Sequence, residues 1–247
     1  MTVSLAAESF APASRASRRL TDRGFYIVMS LAAAAAVLAG FARTYYLRSQ
    51  FQTTPLPLYL QVHGLVFTSW IALFVAQTTL VAVRRTDLHR RLGWAGAALA
   101  ATMVPVALTA AILSGRRNVA AGEGDAALTF LTTPFFSMIV FLILVGTAIY
   151  FRRRPETHKR LMLVATISIL DAAVARWPIA LVSATSWAYY ALTDVFIVVA
   201  VAYDLLSQRR VHREYVLGGL LVLAGQVLRD IAGQTAAWHA FARVLIG

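Results

Sequence analysis

The chain is 247 residues long, 59% hydrophobic and only 14% charged, with a mean hydropathy of +0.67. Soluble domains carry about 25% charged residues, so this composition excludes the ordinary soluble class and points to the membrane. The net charge of +12 does not mark a nucleic-acid binder, because the arginines sit in short runs between apolar blocks, and the absence of cysteine excludes disulfides, iron–sulfur clusters and thiolate catalysis.

Residues 1–24 form a basic N-terminal segment without the apolar centre of a signal peptide, so the helix that follows reads as an uncleaved first span. Seven apolar blocks reach bilayer-spanning length of about 20 residues. They lie at 25–42, 58–83, 94–114, 128–151, 161–183, 187–206 and 215–236. No stretch alternates as a membrane β-barrel would. The expected fold is therefore an all-α membrane protein, a seven-helix bundle over 25–236, followed by a tail at 237–247. The first block is rich in alanine, which suits close helix packing. Loop 43–57 offers Tyr45, Tyr46, Pro55 and Pro57 as interface anchors, and 115–127 (GRRNVAAGEGDAA) reads as a polar, glycine-bearing loop. In the tail, Trp238, Phe241 and Leu245 recur at helical spacing opposite His239 and Arg243, a pattern for lying along a membrane interface.

The basic residues fix an expected orientation. Arg15, Arg18, Arg19 and Arg23, then Arg84, Arg85, Arg90 and Arg91, then Arg152, Arg153, Arg154, Lys159 and Arg160, and finally Arg209, Arg210 and Arg213 all fall on the N-terminal side. The other side holds only Arg43, Arg48, Arg116, Arg117 and Arg243. The positive-inside bias puts the N-terminus in the cytoplasm and the C-terminus outside, with the basic loops against anionic lipid headgroups. Two of those loops resemble each other: RRTDLHRRL at 84–92 and RRPETHKRL at 153–161, with RRVHREY from Arg209 as a shorter version. Each precedes an outward helix, which suggests three hairpin-like repeats after the first helix.

Ionisable groups at membrane depth are the candidate functional residues. Asp171 falls near the middle of the fifth block, and Arg176 lies five residues on, just before the kink expected at Pro178. On an unbroken helix these two point about 140° apart, so each should reach a neighbouring helix. Asp194 on the sixth block, Arg229 and Asp230 on the seventh, and His63 on the second reach a similar depth in the outer half. Gln226, Arg229, Asp230, Gly233 and Gln234 recur every three or four residues and share one face. Three aspartates against two arginines leave one carboxyl to stay neutral, or to be balanced by protonated His63.

The loop histidines His89, His158 and His212 are a second set. They are candidates for a metal or haem site, or simply parts of a basic cap on the lipid surface. A bis-histidine haem within the bundle is disfavoured because His63 is the only histidine inside a span. Retinal is disfavoured because the one lysine, Lys159, is in a loop. Ser168 and Ser183 lack hydrolase partners. The segments DLHRRLGWAG and ETHKRLMLVATISIL resemble loop–helix junctions of uncharacterised bacterial multi-pass inner-membrane families. They are also similar to small cytochrome-oxidase-assembly and cytochrome b561-like membrane proteins. The resemblance implies a bacterial inner (plasma) membrane location, but the b561-like pattern needs paired histidines within spans, so no functional residue is carried over.

The expectation that follows is a protein that binds or transports a small polar or anionic ligand or ion, with proton linkage, in a pocket lined by His63, Asp171, Arg176, Asp194, Gln226, Arg229 and Asp230. Two alternatives stand beside it. One is a redox or oxidase-biogenesis protein holding haem or metal on its loop histidines. The other is an accessory subunit with a structural ion-pair network, covered by a partner membrane subunit.

Overall fold

A computed structural model describes residues 15–51, 54–180, 182 and 185–247. Residues 1–14 of the N-terminal segment, 52 and 53 of the expected loop 43–57, 181 and 183 of the expected fifth span, and 184 after it lie outside the described residues. Helix α1 runs Arg15–Phe41 and continues into a π-helical turn, Ala42–Tyr46, and the short α2, Arg48–Phe51. Then come α3 (Leu58–Ala82), α4 (Thr86–Ala120), α5 (Asp125–Phe130), α6 (Thr132–Tyr150), α7 (Pro155–Ile167) and α8 (Asp171–Val174). The chain ends with α9 (Ser186–Gln208), α10 (Arg213–Gly233) and α11 (Ala236–Ile246). Among the described residues there is no strand. Among the described residues six segments are long and apolar enough to cross a membrane: Asp22–Tyr46, Leu58–Ala82, Thr86–Ala120, Asp125–Tyr150, Trp187–Gln208 and Arg213–Gly233. The chain is thus an all-α protein of multi-pass membrane character.

The fifth expected span is not one helix. It breaks between α7 and α8, where Leu170 N–H reaches Ile167 O at 2.9 Å and Ile169 N–H reaches Thr166 O at 3.4 Å, the tight i to i+3 pattern of a 3₁₀ turn. The Ser168 hydroxyl donates to Ala165 O at 2.8 Å, satisfying a carbonyl near the break. The expected kink at Pro178 therefore comes eight residues after an earlier interruption. Loosened backbone is tolerated at membrane depth only inside protein, and this segment is inside: it packs against α1, α6, α9 and α10. Leu163, Val164, Ala165, Thr166, Ile167 and Leu170 are all at most 1% exposed, and no large apolar side chain between 151 and 178 is exposed. The surrounding helices show the opposite, with Val28, Leu38, Ile139, Leu142, Val198, Leu206, Leu217 and Leu220 exposed on their outward faces.

Two close approaches lock this centre. A Cβ on Gly40 of α1 would lie 2.1 Å from the Ala173 carbonyl oxygen, so only glycine lets α1 touch α8 there. A Cβ on Gly225 of α10 would lie 2.6 Å from Val140 of α6.

The hairpin starts are alike in detail. Asp87, Glu156 and Glu214 each occupy the second position of α4, α7 and α10, where a carboxylate complements the helix dipole. Arg84 and Arg209 take left-handed φ of 64° and 57° where α3 and α9 end. His89 and His158 stand at matching fourth positions of their helices, but His212 precedes α10, so the third loop does not repeat the histidine.

Two further boundaries differ from expectation. The residues 115–120 read as loop continue α4, leaving the turn to 121–124 with Gly122 and Gly124 at positive φ. The tail forms α11, whose Ala242 and Ile246 pack with Ala111, Leu128 and Leu131, while Arg116 Nε donates to Ile246 O at 2.8 Å.

Candidate functional site

Arg229 on α10 is the hub of a buried charged centre. Its Nη2 donates to Asp171 Oδ2 at 2.6 Å, its Nε to the Tyr190 hydroxyl at 2.9 Å and its Nη1 to Ser137 Oγ at 3.1 Å. The guanidinium carbon also sits 4.3 Å from the Tyr190 ring centroid. Tyr190 OH passes the contact on by donating to Asp230 Oδ1 at 2.7 Å. One turn before Arg229 on the same face, Gln226 Nε2 donates to Asp194 Oδ1 at 3.1 Å. The centre therefore draws on α6, α8, α9 and α10.

Five of the seven expected pocket residues meet here: Asp171, Asp194, Gln226, Arg229 and Asp230. Gln226, Arg229 and Gly233 of the α10 stripe are buried and Asp230 is half-buried, but Gln234 is exposed, so the stripe ends at Gly233. Arg176 does not join. It was expected to face the interior, but α8 stops at Val174 and the turn after it carries Arg176 away. Its side chain is exposed, donates to the Ala172 carbonyl and lies 4.8 Å over the Phe41 ring. His63 also stands apart, half-buried and stacked on Phe67 at 4.3 Å between centroids.

The detail that sets this centre apart is Asp171 itself. The residue is 4% exposed and one carboxylate oxygen is held by Arg229; Oδ1 is buried with only the Thr193 hydroxyl at hand, and that hydroxyl already donates to Tyr189 O at 2.9 Å. Beside it is a cavity of about 10 Å³, lined by Asp171, Arg229, Ser137, Ser168 and Gln226 among others. That is the lower limit of room for one water molecule.

A second buried centre, at the end of the bundle with the basic loops, escaped the sequence reading. Arg160 of α7 makes a two-pronged contact with Asp204 of α9, Nε to Oδ2 at 2.9 Å and Nη2 to Oδ1 at 2.8 Å. Its Nη1 donates to both the carbonyl and Oε2 of Glu156 at 2.8 Å. Around this pair, Tyr26 and Tyr215 share a hydroxyl contact of 3.0 Å. Lys159 reaches Asp22 at 2.7 Å, and Tyr203 donates to the same carboxylate at 2.7 Å. Burial disfavours the Glu156 carboxylate, but the hydrogen bonds and charges of Arg160 and Lys159 prevail and hold its pKa down at about 2. Asp204, a second carboxylate in the mainly apolar helix that also carries Asp194, was the available signal.

The loop histidines do not converge as a set of three. The His89 and His158 ring centroids are 6.3 Å apart, and His158 Nδ1 donates to Ala148 O at 2.9 Å. His212 instead contacts Gln208 Oε1 at 3.0 Å, and burial pushes its pKa down. Among the described residues no group of three or more His, Asp or Glu is placed to hold a metal ion.

Compared with protein-family models, curated proteins and solved structures, the chain has no match. The functional reading rests on the chain's own geometry.

Proposed function

We propose that this is an integral inner-membrane protein that binds or transports a small polar or anionic ligand or ion, with proton linkage, through the charged centre around Arg229. In this reading the buried α7–α8 segment completes a seventh, discontinuous crossing. The basic loops face the cytoplasm, which puts Asp171 and Arg229 in the outer half of the bundle. Discontinuous helices bearing ionisable groups are a recurring way to build ion and substrate sites in transport folds.

The observation that carries the reading is Asp171 itself, a buried carboxylate that lines a water-sized cavity beside a helix break and whose Oδ1 accepts no hydrogen bond of normal geometry. A carboxylate intended only as a structural partner for Arg229 would be expected to have both oxygens satisfied. Asp194, half-buried nearby, takes its hydrogen bond from the neutral amide of Gln226. Two carboxyls close to one guanidinium favour a proton on one of them.

Infrared difference spectroscopy across a pH titration tests this directly. A protonatable buried carboxyl should appear as a titrating C=O band in the wild type, vanish in Asp171→Asn and persist in Asp204→Asn. If the wild type has no such band, or Asp171→Asn leaves it intact, the centre is structural. The closed Arg229–Asp171 contact of 2.6 Å then favours the second reading, an accessory membrane subunit held together by ion pairs.

A further inference from the structure

The two buried charged centres are strung along the same helices with an apolar interval between them. From the basic-loop end, α7 and α8 carry Arg160 and then Asp171, and α9 carries Asp204 and then Asp194. On α10, Tyr215 lies beside Arg160, and Gln226 and Arg229 belong to the other centre. Tyr215 and Gln226 are roughly 16 Å apart along that helix. Residues 216–225 fill the interval without one polar side chain, and residues 195–202 of α9, VFIVVAVA, are equally apolar.

The helices close on one another at this level. A Cβ on Gly218 would lie 3.2 Å from Val164 of α7 and 3.5 Å from Leu144 of α6, and one on Gly219 would lie 3.4 Å from Ile197 of α9. Leu144, Leu163, Val164, Ile167, Ala200 and Val222 are at most 3% exposed. Thr166, the hydroxyl that α7 contributes here, donates back to Met162 O of its own helix at 3.0 Å. Apolar packing of this tightness offers water no hydrogen-bond partners.

Toward the end away from the basic loops the surroundings of Asp171 are different. Tyr190 and Gln226 tie the centre to Asp230 and Asp194, both only half-buried. The cavity that Asp171 lines has room for one water. An anion would have to displace Tyr190, Ser137 or Asp171 from Arg229, whose three nitrogens are each engaged, and a cation would meet the guanidinium charge.

We propose that the ligand of the Arg229 centre is the proton alone, and that it enters and leaves only at the end of the bundle away from the basic loops. Asp171 is then a proton site with one mouth and not a passage. This inference rests on the protonatable Asp171 carboxyl of the proposed function and narrows that reading from transport to binding. Uptake adds one proton from water to the carboxylate; Arg229 keeps its charge and no other covalent bond changes.

The test uses the full chain in phospholipid vesicles that carry it in one orientation, established by protease removal of a tag after residue 247. The infrared C=O band assigned to Asp171 by its loss in Asp171→Asn should follow pH on the tail side and ignore pH on the loop side. If Asp171→Asn does not fold, Asp171→Glu, which keeps a carboxyl and moves its band, makes the assignment. Under a potassium gradient with valinomycin, a pH dye inside the vesicles should report the same proton flux as in protein-free vesicles, and a protonophore confirms that the dye responds. Exchanging chloride for nitrate or phosphate at constant ionic strength should leave the midpoint of the band in place. A bound anion coupled tenfold to the proton would move it by about one pH unit. A band that follows loop-side pH, a flux that Asp171→Asn removes, or an anion-dependent midpoint each overturns the one-mouthed proton site and leaves the protonatable carboxyl standing. Absence of any titrating band overturns the carboxyl reading and this inference with it.

Discussion

The two buried Arg–Asp pairs use the same chemistry to opposite ends. Arg160 and Asp204, 0% and 1% exposed at their side chains, close on each other through two parallel hydrogen bonds, and Glu156 takes the remaining guanidinium nitrogen. Arg229 spends only one nitrogen on Asp171 and gives the others to the neutral hydroxyls of Tyr190 and Ser137. Asp171 lines the small cavity and keeps one oxygen, Oδ1, that accepts no hydrogen bond of normal geometry. A fully satisfied pair is a fastener, because every donor and acceptor has already been used. An under-satisfied one retains capacity for a proton, a water or a ligand atom. The lesson is that an Arg–Asp contact in a membrane interior says little about role until each oxygen and nitrogen has been traced.

The comparison can be broken by substitution. The largest expected effect is that of Asp204→Ala, which strands the fully buried Arg160 and should cost about 3–5 kcal/mol, read as thermal unfolding in detergent. Asp171→Asn should cost less, about 1–3 kcal/mol, since the amide oxygen still accepts from Arg229 and one position was already unsatisfied. Unfolding of the two variants side by side decides the matter: if Asp171→Asn is the more damaging, the assignment of fastener and reserve is reversed.

The smallest effect concerns pH. The Glu156 pKa is depressed from 4.5 to about 2, so its carboxylate contributes stability that is complete above 4.5 and is lost as pH falls through about 2. With its side chain 57% exposed, the contribution is modest. Glu156→Gln should flatten the acid limb of the stability curve between those values and leave the rank order of the two larger variants unchanged. An acid unfolding profile identical to wild type would detach Glu156 from the Arg160 centre.

Composition and block length were enough to make the helical, multi-pass character legible, and the three- and four-residue spacing on α10 led to Gln226, Arg229 and Asp230. Asp171 and Asp194 were found from depth alone. The break at 168–170 was not legible, because Ser168, Ile169 and Leu170 include no glycine or proline, and the interruption is sustained by packing on four sides. That omission spoiled the placement of Arg176, since the 140° estimate assumed an unbroken helix. Arg160 was missed for a different reason. In a run of basic residues it reads as one more cytoplasmic charge, and only the fold brings Asp204 to it across 44 positions. Tyr190 and Ser137 carry no periodic signal, and their role appears only once Arg229 is in place.

The broken segment also constrains how the protein is made. When Pro155–Val174 leaves the ribosome, Arg160 has only Glu156 of its own helix and Asp171 has no cation: Asp204 follows Arg160 by 44 residues and Arg229 follows Asp171 by 58. The hydrocarbon core offers Asp171 no partner, so release of this piece into the bilayer as it emerges is costly. In the folded chain it is covered by α1 and α6 on one side and by α9 and α10, which are made later, on the other. Completion of the buried centre therefore depends on the C-terminal helices, and truncation before Arg229 should leave an incompletely folded chain that is degraded.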